Sequence, residues 1–256
     1  MIMKHISIVV AVACLFLLAS CRQDVYSTAV TPVAGSLPEN ENHPMKDSLE
    51  FIINKHIAKG VPGVQVMVKN ADGWYIANAG FAKPETKTPI EDNMTAWVYS
   101  ISKTYLAVVA LRLKEKGILN LDEKISSYLS QDVTKHLANA DKITVRQLMN
   151  HSSGLRNHTV EPSFQLFQLN NPLTVLSLEE KVKFVYDKPA MFEPGTDFFY
   201  SNTGYTLLQW VVEKVSNKPY AQVLQEEILQ PLNLTKTFYG VTDQQALQLG
   251  FPNYYF

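Results

Sequence analysis

Two β-prone runs, residues 64–69 and 74–79, meet at Ala71-Asp72-Gly73, a composition that favours a tight hairpin. No second pair of such runs is evident later in the chain. A lone hairpin is not stable in water, so these strands need a helix packed on them. The remaining sequence supplies helices. Leu49, Ile52, Ile53 and Ile57 recur at helical spacing behind Asp47-Ser48-Leu49-Glu50, a capping-box pattern, and Gly60 ends that run. A second helix from near Ser100 to Gly117 carries the apolar stretch 106–113. Leu119-Asn120-Leu121-Asp122 opens an irregular, helix-rich region with shorter helices expected at 145–150, 178–185 and 203–215. Ser177 with Glu180 caps the second of these, Asn202 stands where a cap for the third is needed, and Pro219 opens a last helix through Leu229. The order predicts an α+β fold, an antiparallel sheet flanked by helices with a helical region beside it.

With 256 residues, 46% hydrophobic and 18% charged, the chain can bury one sizeable core. A formal net charge of -1 and the lack of any basic run argue against a polyanion-binding surface, so nucleic acid is not an expected partner. The start of the chain is read apart from the fold. Lys4 precedes an apolar stretch, residues 6–18, too short to span a bilayer but suited to a signal segment. Its end, Leu18-Ala19-Ser20-Cys21, resembles a bacterial lipobox. That resemblance implies a leader at 1–20, lipidation of Cys21, membrane attachment through that lipid, and a place in the bacterial cell envelope facing the periplasm or exterior. Cys14 would leave with the leader, so no disulfide is expected. Residues 21–45 are polar, contain Pro32, Pro38 and Pro44, and read as a tether of about 25–30 Å root-mean-square span. The folded domain is expected over 46–256.

Chemistry is suggested first by Ser100-Ile101-Ser102-Lys103, the single Ser-x-x-Lys of the chain. A serine at a helix start lies beside unpaired backbone N–H groups and the positive end of the helix dipole. A lysine three residues on shares its face. If buried, that amine loses solvation and becomes able to take the serine proton. This is the outline of a serine acyl-transfer site, against the plainer alternative of a helix start with a solvated lysine.

A second motif, Tyr200-Ser201-Asn202, follows Pro194-Gly195-Thr196. Together with Ser100-Ile101-Ser102-Lys103 it resembles the serine β-lactamase and penicillin-binding-protein superfamily, in the branch of class C β-lactamases, D-alanyl-D-alanine carboxypeptidases and related esterases. Leu148-Met149-Asn150-His151-Ser152-Ser153-Gly154-Leu155 and Pro231-Leu232-Asn233-Leu234 agree with that branch. The resemblance implies Ser100 as nucleophile forming an acyl-enzyme, Lys103 and Tyr200 as its proton relay, and Asn202 as a hydrogen-bond partner of the substrate amide. Which of Lys103 and Tyr200 takes the first proton stays open. His151 is read as part of a turn in which Ser153 and Gly154 fix a loop. The six histidines show no ligand spacing, and neither metal nor cofactor is expected.

One departure matters. The third motif of that superfamily, a Lys-Thr-Gly or His-x-Gly strand, finds no match between Leu232 and Phe256. A chain shortened at its C-terminal strands, with an incomplete sheet and half an oxyanion hole, is the expectation. Two readings compete. One is a hydrolase acting on a peptide, β-lactam or ester carbonyl, with a small-molecule or cell-wall peptide substrate. The other is a non-catalytic fragment, or a peptidoglycan-binding lipoprotein on the same scaffold. The apolar segment 156–175, with Phe164, Leu166, Phe167 and Leu169, is read as a pocket border or local core.

Overall fold

The computed structural model describes residues 39–92, 94–241, 245 and 251–252. The expected leader at 1–20, Cys21 and the tether as far as residue 38 lie outside the described residues. The chain is already folded at Glu39, which forms a parallel bridge with Trp74. Asn40 N donates to Trp74 O at 2.7 Å. His43, 2% exposed, meets Asn70 Oδ1 at 3.0 Å and stacks on Tyr75. The tether expected to residue 45 therefore stops short of it. Polar composition hid this, because these residues join the fold through backbone groups and one buried imidazole.

Helix α1, Lys46–Ile57, follows without a side-chain cap; Met45 is the N-cap residue. Glu50 does not close the expected capping box. Its Oε1 instead accepts a 2.7 Å hydrogen bond from Tyr75 OH, and that buried phenol needs a partner more than an exposed helix end does. Strands β1, Gly63–Asn70, and β2, Gly73–Lys83, pair antiparallel from Gly63↔Gly80 to Asn70↔Gly73, with the turn at Ala71-Asp72 as expected. A short third strand, β3, Thr88–Pro89, adds to β2. Its two residues, one of them proline, leave no period-2 pattern to find in the sequence. The sheet order is β1-β2-β3, and α1 covers it through Ile53 against Tyr75 and Ala77.

The larger core is helical. Helix α2, Ser102–Glu115, buries Leu106, Val109, Ala110 and Leu113, an i, i+3, i+4, i+7 stripe. Short helices α3, Gln131–Thr134, and α4, Val145–Met149, follow, the latter closed by a Thr144–Gln147 capping box. Then come α5, Pro162–Asn170, and α6, Leu178–Lys183, the latter with the expected Ser177–Glu180 box. Helix α7, Asn202–Ser216, buries Leu207, Leu208, Val211 and Val212 against α2 and α4. Gly204 lets α7 approach α4, since a Cβ there would lie 3.2 Å from Leu148 O. Helix α8, Tyr220–Leu224, runs into a π-helical turn, Gln225–Leu229. The buried Glu227 of that turn binds Arg112 at 3.1 Å and also Lys116, tying it to α2. At roughly 1.5–3 kcal/mol for each large apolar side chain buried, this helical cluster carries more of the stability than the three-residue core under the sheet. The fold is α+β, an antiparallel sheet with a helical region, as the sequence predicts. Among the described residues no helix is long and apolar enough to cross a membrane.

Candidate active site

Ser100 lies in a 3₁₀ turn, Tyr99–Ile101, that leads into α2, so the α-helix begins two residues later than the nucleophile candidate. Tyr99 has φ of 41°, in the left-handed region, and the Ser102 hydroxyl donates to Tyr99 O at 2.5 Å. That bend holds Ser100 exposed at the head of α2. Lys103 is half-buried rather than buried. Its Nζ donates to Ser100 Oγ at 3.2 Å and to Asn202 Oδ1 at 2.8 Å. Tyr200 OH donates to Ser100 Oγ at 2.8 Å across 100 residues of sequence. Ser100, Lys103, Tyr200 and Asn202 thus form one connected set. Burial pushes the Tyr200 phenol up, but hydrogen bonding by Lys103 and Ser100 and the Lys103 charge outweigh it, leaving the phenol below the ordinary tyrosine range.

What aims Tyr200 and Asn202 is the loop 151–159. Phe199 N donates to His151 O at 3.0 Å, and Ser201 N donates to His151 Nδ1 at 3.2 Å. Asn202 N donates to Asn157 Oδ1 at 3.2 Å, and Asn202 Nδ2 to Thr159 Oγ1 at 3.0 Å. His151 also packs on Tyr200, with ring centroids 4.5 Å apart. It is thus a positioning group within a turn, and burial together with Lys103 holds its imidazole below the usual range. The loop keeps its shape through Gly154, whose φ is +73° and where a Cβ would lie 2.1 Å from Phe192 O. Ser153 is buried with its hydroxyl accepting from Leu155 N at 3.3 Å.

Asn202 does not cap α7. Ser201 does, its Oγ accepting from Gly204 N at 3.4 Å and donating to Arg156 O at 3.2 Å. The adjacent Asn202 is thereby free to reach Lys103 and Thr159. His158 stands in no recognisable sequence motif. It is 3% exposed, its backbone N donates to Thr203 Oγ1 at 2.9 Å, and Nδ1 lies 3.0 Å from the same oxygen. Burial, with help from Lys181 and Lys103, pushes its imidazole down to about 4, so it is neutral near pH 7. Asn157 and Thr159 carry no motif of their own, and only their contacts with Asn202 reveal them; Ser201 and Thr203 flank Asn202 in sequence, but their roles as cap and as partner of His158 show only in the fold.

A cavity of about 370 Å³ is bordered by two members of this cluster, Lys103 and Asn202, with Thr159, His158, Phe164 and Lys181 among others. Of the apolar side chains in segment 156–175, Phe164 lines it, while Leu166, Leu169, Leu173 and Val175 are exposed. Among the described residues, no group of three His, Cys, Asp or Glu side chains is placed to hold a metal ion.

The chain is similar to penicillin-binding protein 4* of Bacillus subtilis (strain 168), at 26% identity over 205 residues, 78% of this chain and 42% of that protein. It superposes on a D-stereospecific amidohydrolase from Streptomyces sp. with TM-score 0.66 and 29% identity, covering 74% of this chain and 55% of the other. A class C beta lactamase shares the fold, with TM-score 0.62 and 24% identity over 80% of this chain and 53% of that one. The chain therefore spans about half the length of these relatives. The Beta-lactamase family model matches residues 41–250, which include all four clustered side chains. On that match, together with the α+β fold that holds them, the chain belongs to the Beta-lactamase family.

Proposed function

We propose that this protein is a serine hydrolase that forms an acyl-enzyme through Ser100. The observation that carries the reading is the convergence of Tyr200 OH at 2.8 Å and Lys103 Nζ at 3.2 Å on one exposed hydroxyl. Lys103 Nζ donates to both Ser100 Oγ and Asn202 Oδ1, and its charge favours ionisation of the Tyr200 phenol; once ionised, Tyr200 no longer donates across the 2.8 Å contact with Ser100 Oγ but accepts the serine proton along it. Ser100 Oγ then attacks the carbonyl as its proton moves to Tyr200. The relay returns that proton to the leaving group as the bond to it breaks. Water completes the cycle by the reverse path, releasing the acid and restoring Ser100. Asn202 holds Lys103 and presents its amide edge beside the reacting centre.

The substrate class is a peptide, β-lactam or ester carbonyl. Likeness to a penicillin-binding protein and to a D-stereospecific amidohydrolase supports an amide next to a D-configured residue, as in a cell-wall peptide. The proposal extends to location: Cys21 is the lipidated start of the mature chain, which works at the bacterial envelope surface. It rests on Leu18-Ala19-Ser20-Cys21 after an apolar run.

The test is covalent labelling with a fluorophosphonate and with a fluorescent penicillin, followed by mass spectrometry of the adduct. Label is expected on the peptide containing Ser100 and absent from S100A. Label that persists in S100A, or none on a folded protein that still binds penicillin reversibly, overturns the acyl-enzyme and leaves a binding protein. For the anchor, C21S should shift the protein out of the membrane fraction, and unchanged partitioning counts against it.

A further inference from the structure

Lys181, on α6, borders the cavity described above, together with the aromatic ring of Phe164 and with His158. No Asp or Glu lines that cavity among the described residues. Two lysines do. Lys103 is engaged by Ser100 and Asn202, whereas Lys181 has no side-chain partner among the described residues. The acids nearest it in sequence are committed elsewhere: Glu179 pairs with Lys183 at 2.9 Å, and Glu180 accepts from Ser177 at the start of α6. His158 offers no negative charge, being neutral near pH 7. A half-buried ammonium without a counter-ion is unfavourable, and burial holds Lys181 below the ordinary lysine range. The lining is otherwise mostly apolar side chains and hydroxyls, those of Thr159 and Thr206 among them.

We propose that Lys181 is the counter-ion for a carboxylate carried on the substrate, remote from the scissile carbonyl and joined to it by an apolar segment that fills the cavity beside Phe164. The inference rests on Ser100 as the acylated residue, because it is the continuity of the cavity with Lys103 and Asn202 that assigns the pocket to substrate. The chemical class selected is an acyl group with an ω-carboxylate, as in a peptide stem bearing a free side-chain acid. A charge-assisted hydrogen bond of this kind changes an equilibrium by about tenfold or more.

Two measurements on the full chain test it. The first compares kcat/KM for the 4-nitrophenyl half-ester of adipic acid with that for 4-nitrophenyl hexanoate. The ratio should fall about tenfold or more in K181M, mostly through KM, be retained in K181R, and turn toward 4-nitrophenyl 6-aminohexanoate in K181E. The second is calorimetric binding of 6-phenylhexanoate against 6-phenylhexanamide, which needs no turnover. Wild type should prefer the carboxylate and K181M should not. Carboxylate binding that depends on Lys181 in a protein that hydrolyses neither ester refutes the hydrolase reading but sustains the anion site. Hydrolysis with a ratio unchanged in K181M and K181E, and binding indifferent to Lys181, overturns the anion site and leaves the hydrolase standing. Neither hydrolysis nor carboxylate preference overturns both.

Discussion

His158 is a built-in acid sensitivity at the base of the active-site loop. Its imidazole is 3% exposed and pinned to Thr203, and burial, reinforced by Lys181 and Lys103, lowers it from 6.5 to about 4. The folded state thus prefers the neutral ring. Its stabilisation is fully present above pH 6.5 and drains as pH falls through 6.5 toward 4, because the unfolded chain binds a proton that the folded one refuses. Integrating between the two values, the loss is about 2 kcal/mol by pH 5 and approaches about 3 kcal/mol at lower pH. Carboxylates such as Glu161 and Glu227 are also held low by paired cations, so raw acid lability would not isolate the histidine. H158N keeps a hydrogen-bonding atom near the position of Nδ1 but does not titrate. Urea unfolding of wild type and H158N from pH 7.5 to 4.5 therefore reads the term as a difference. The stability gap should shift by about 2 kcal/mol against wild type between pH 7.5 and 5. Parallel curves, or a folded-state His158 resonance titrating near 6.5, would falsify the reasoning.

Three further outcomes follow from the geometry. Y200F should fold with wild-type stability yet slow Ser100 labelling by about 10²–10⁴-fold; an unchanged labelling rate would remove Tyr200 from the relay. G154A should cost clearly more than G117A in thermal melting. Both glycines have positive φ, +73° and +71°, but a Cβ at Gly154 meets Phe192 O whereas at Gly117 it meets open space; about 1–2 kcal/mol is common to both from the left-handed backbone alone, and equal melting losses would show that the loop yields freely. S201A should lose about 1–2 kcal/mol, leaving Gly204 N and Arg156 O without their partner, while N202A should spare stability and slow labelling. The reverse pattern would restore Asn202 as the cap.

The hairpin, the covering helix, the stripe Leu106, Val109, Ala110, Leu113 and the capping box at Ser177 were legible in the sequence because they are local. A two-residue turn, a 3.6-residue period and a box of four residues need no knowledge of distant chain. Ser100 and Lys103 were legible for the same reason, lying one turn apart, and Tyr200 and Asn202 through their motif. Long-range competition for partners decided the rest. Glu50 left its expected box for the buried Tyr75 phenol, and His43 anchored a stretch that composition assigns to a tether. Ser201 took the cap from Asn202, freeing that side chain for Lys103. Only the folded loop 151–159 could bring Tyr200 onto Ser100, and only the packing of α6 beside α7 could leave Lys181 facing a cavity that no acid lines among the described residues. Such contacts depend on which buried polar group finds a partner first in three dimensions, and no periodicity along the chain encodes that.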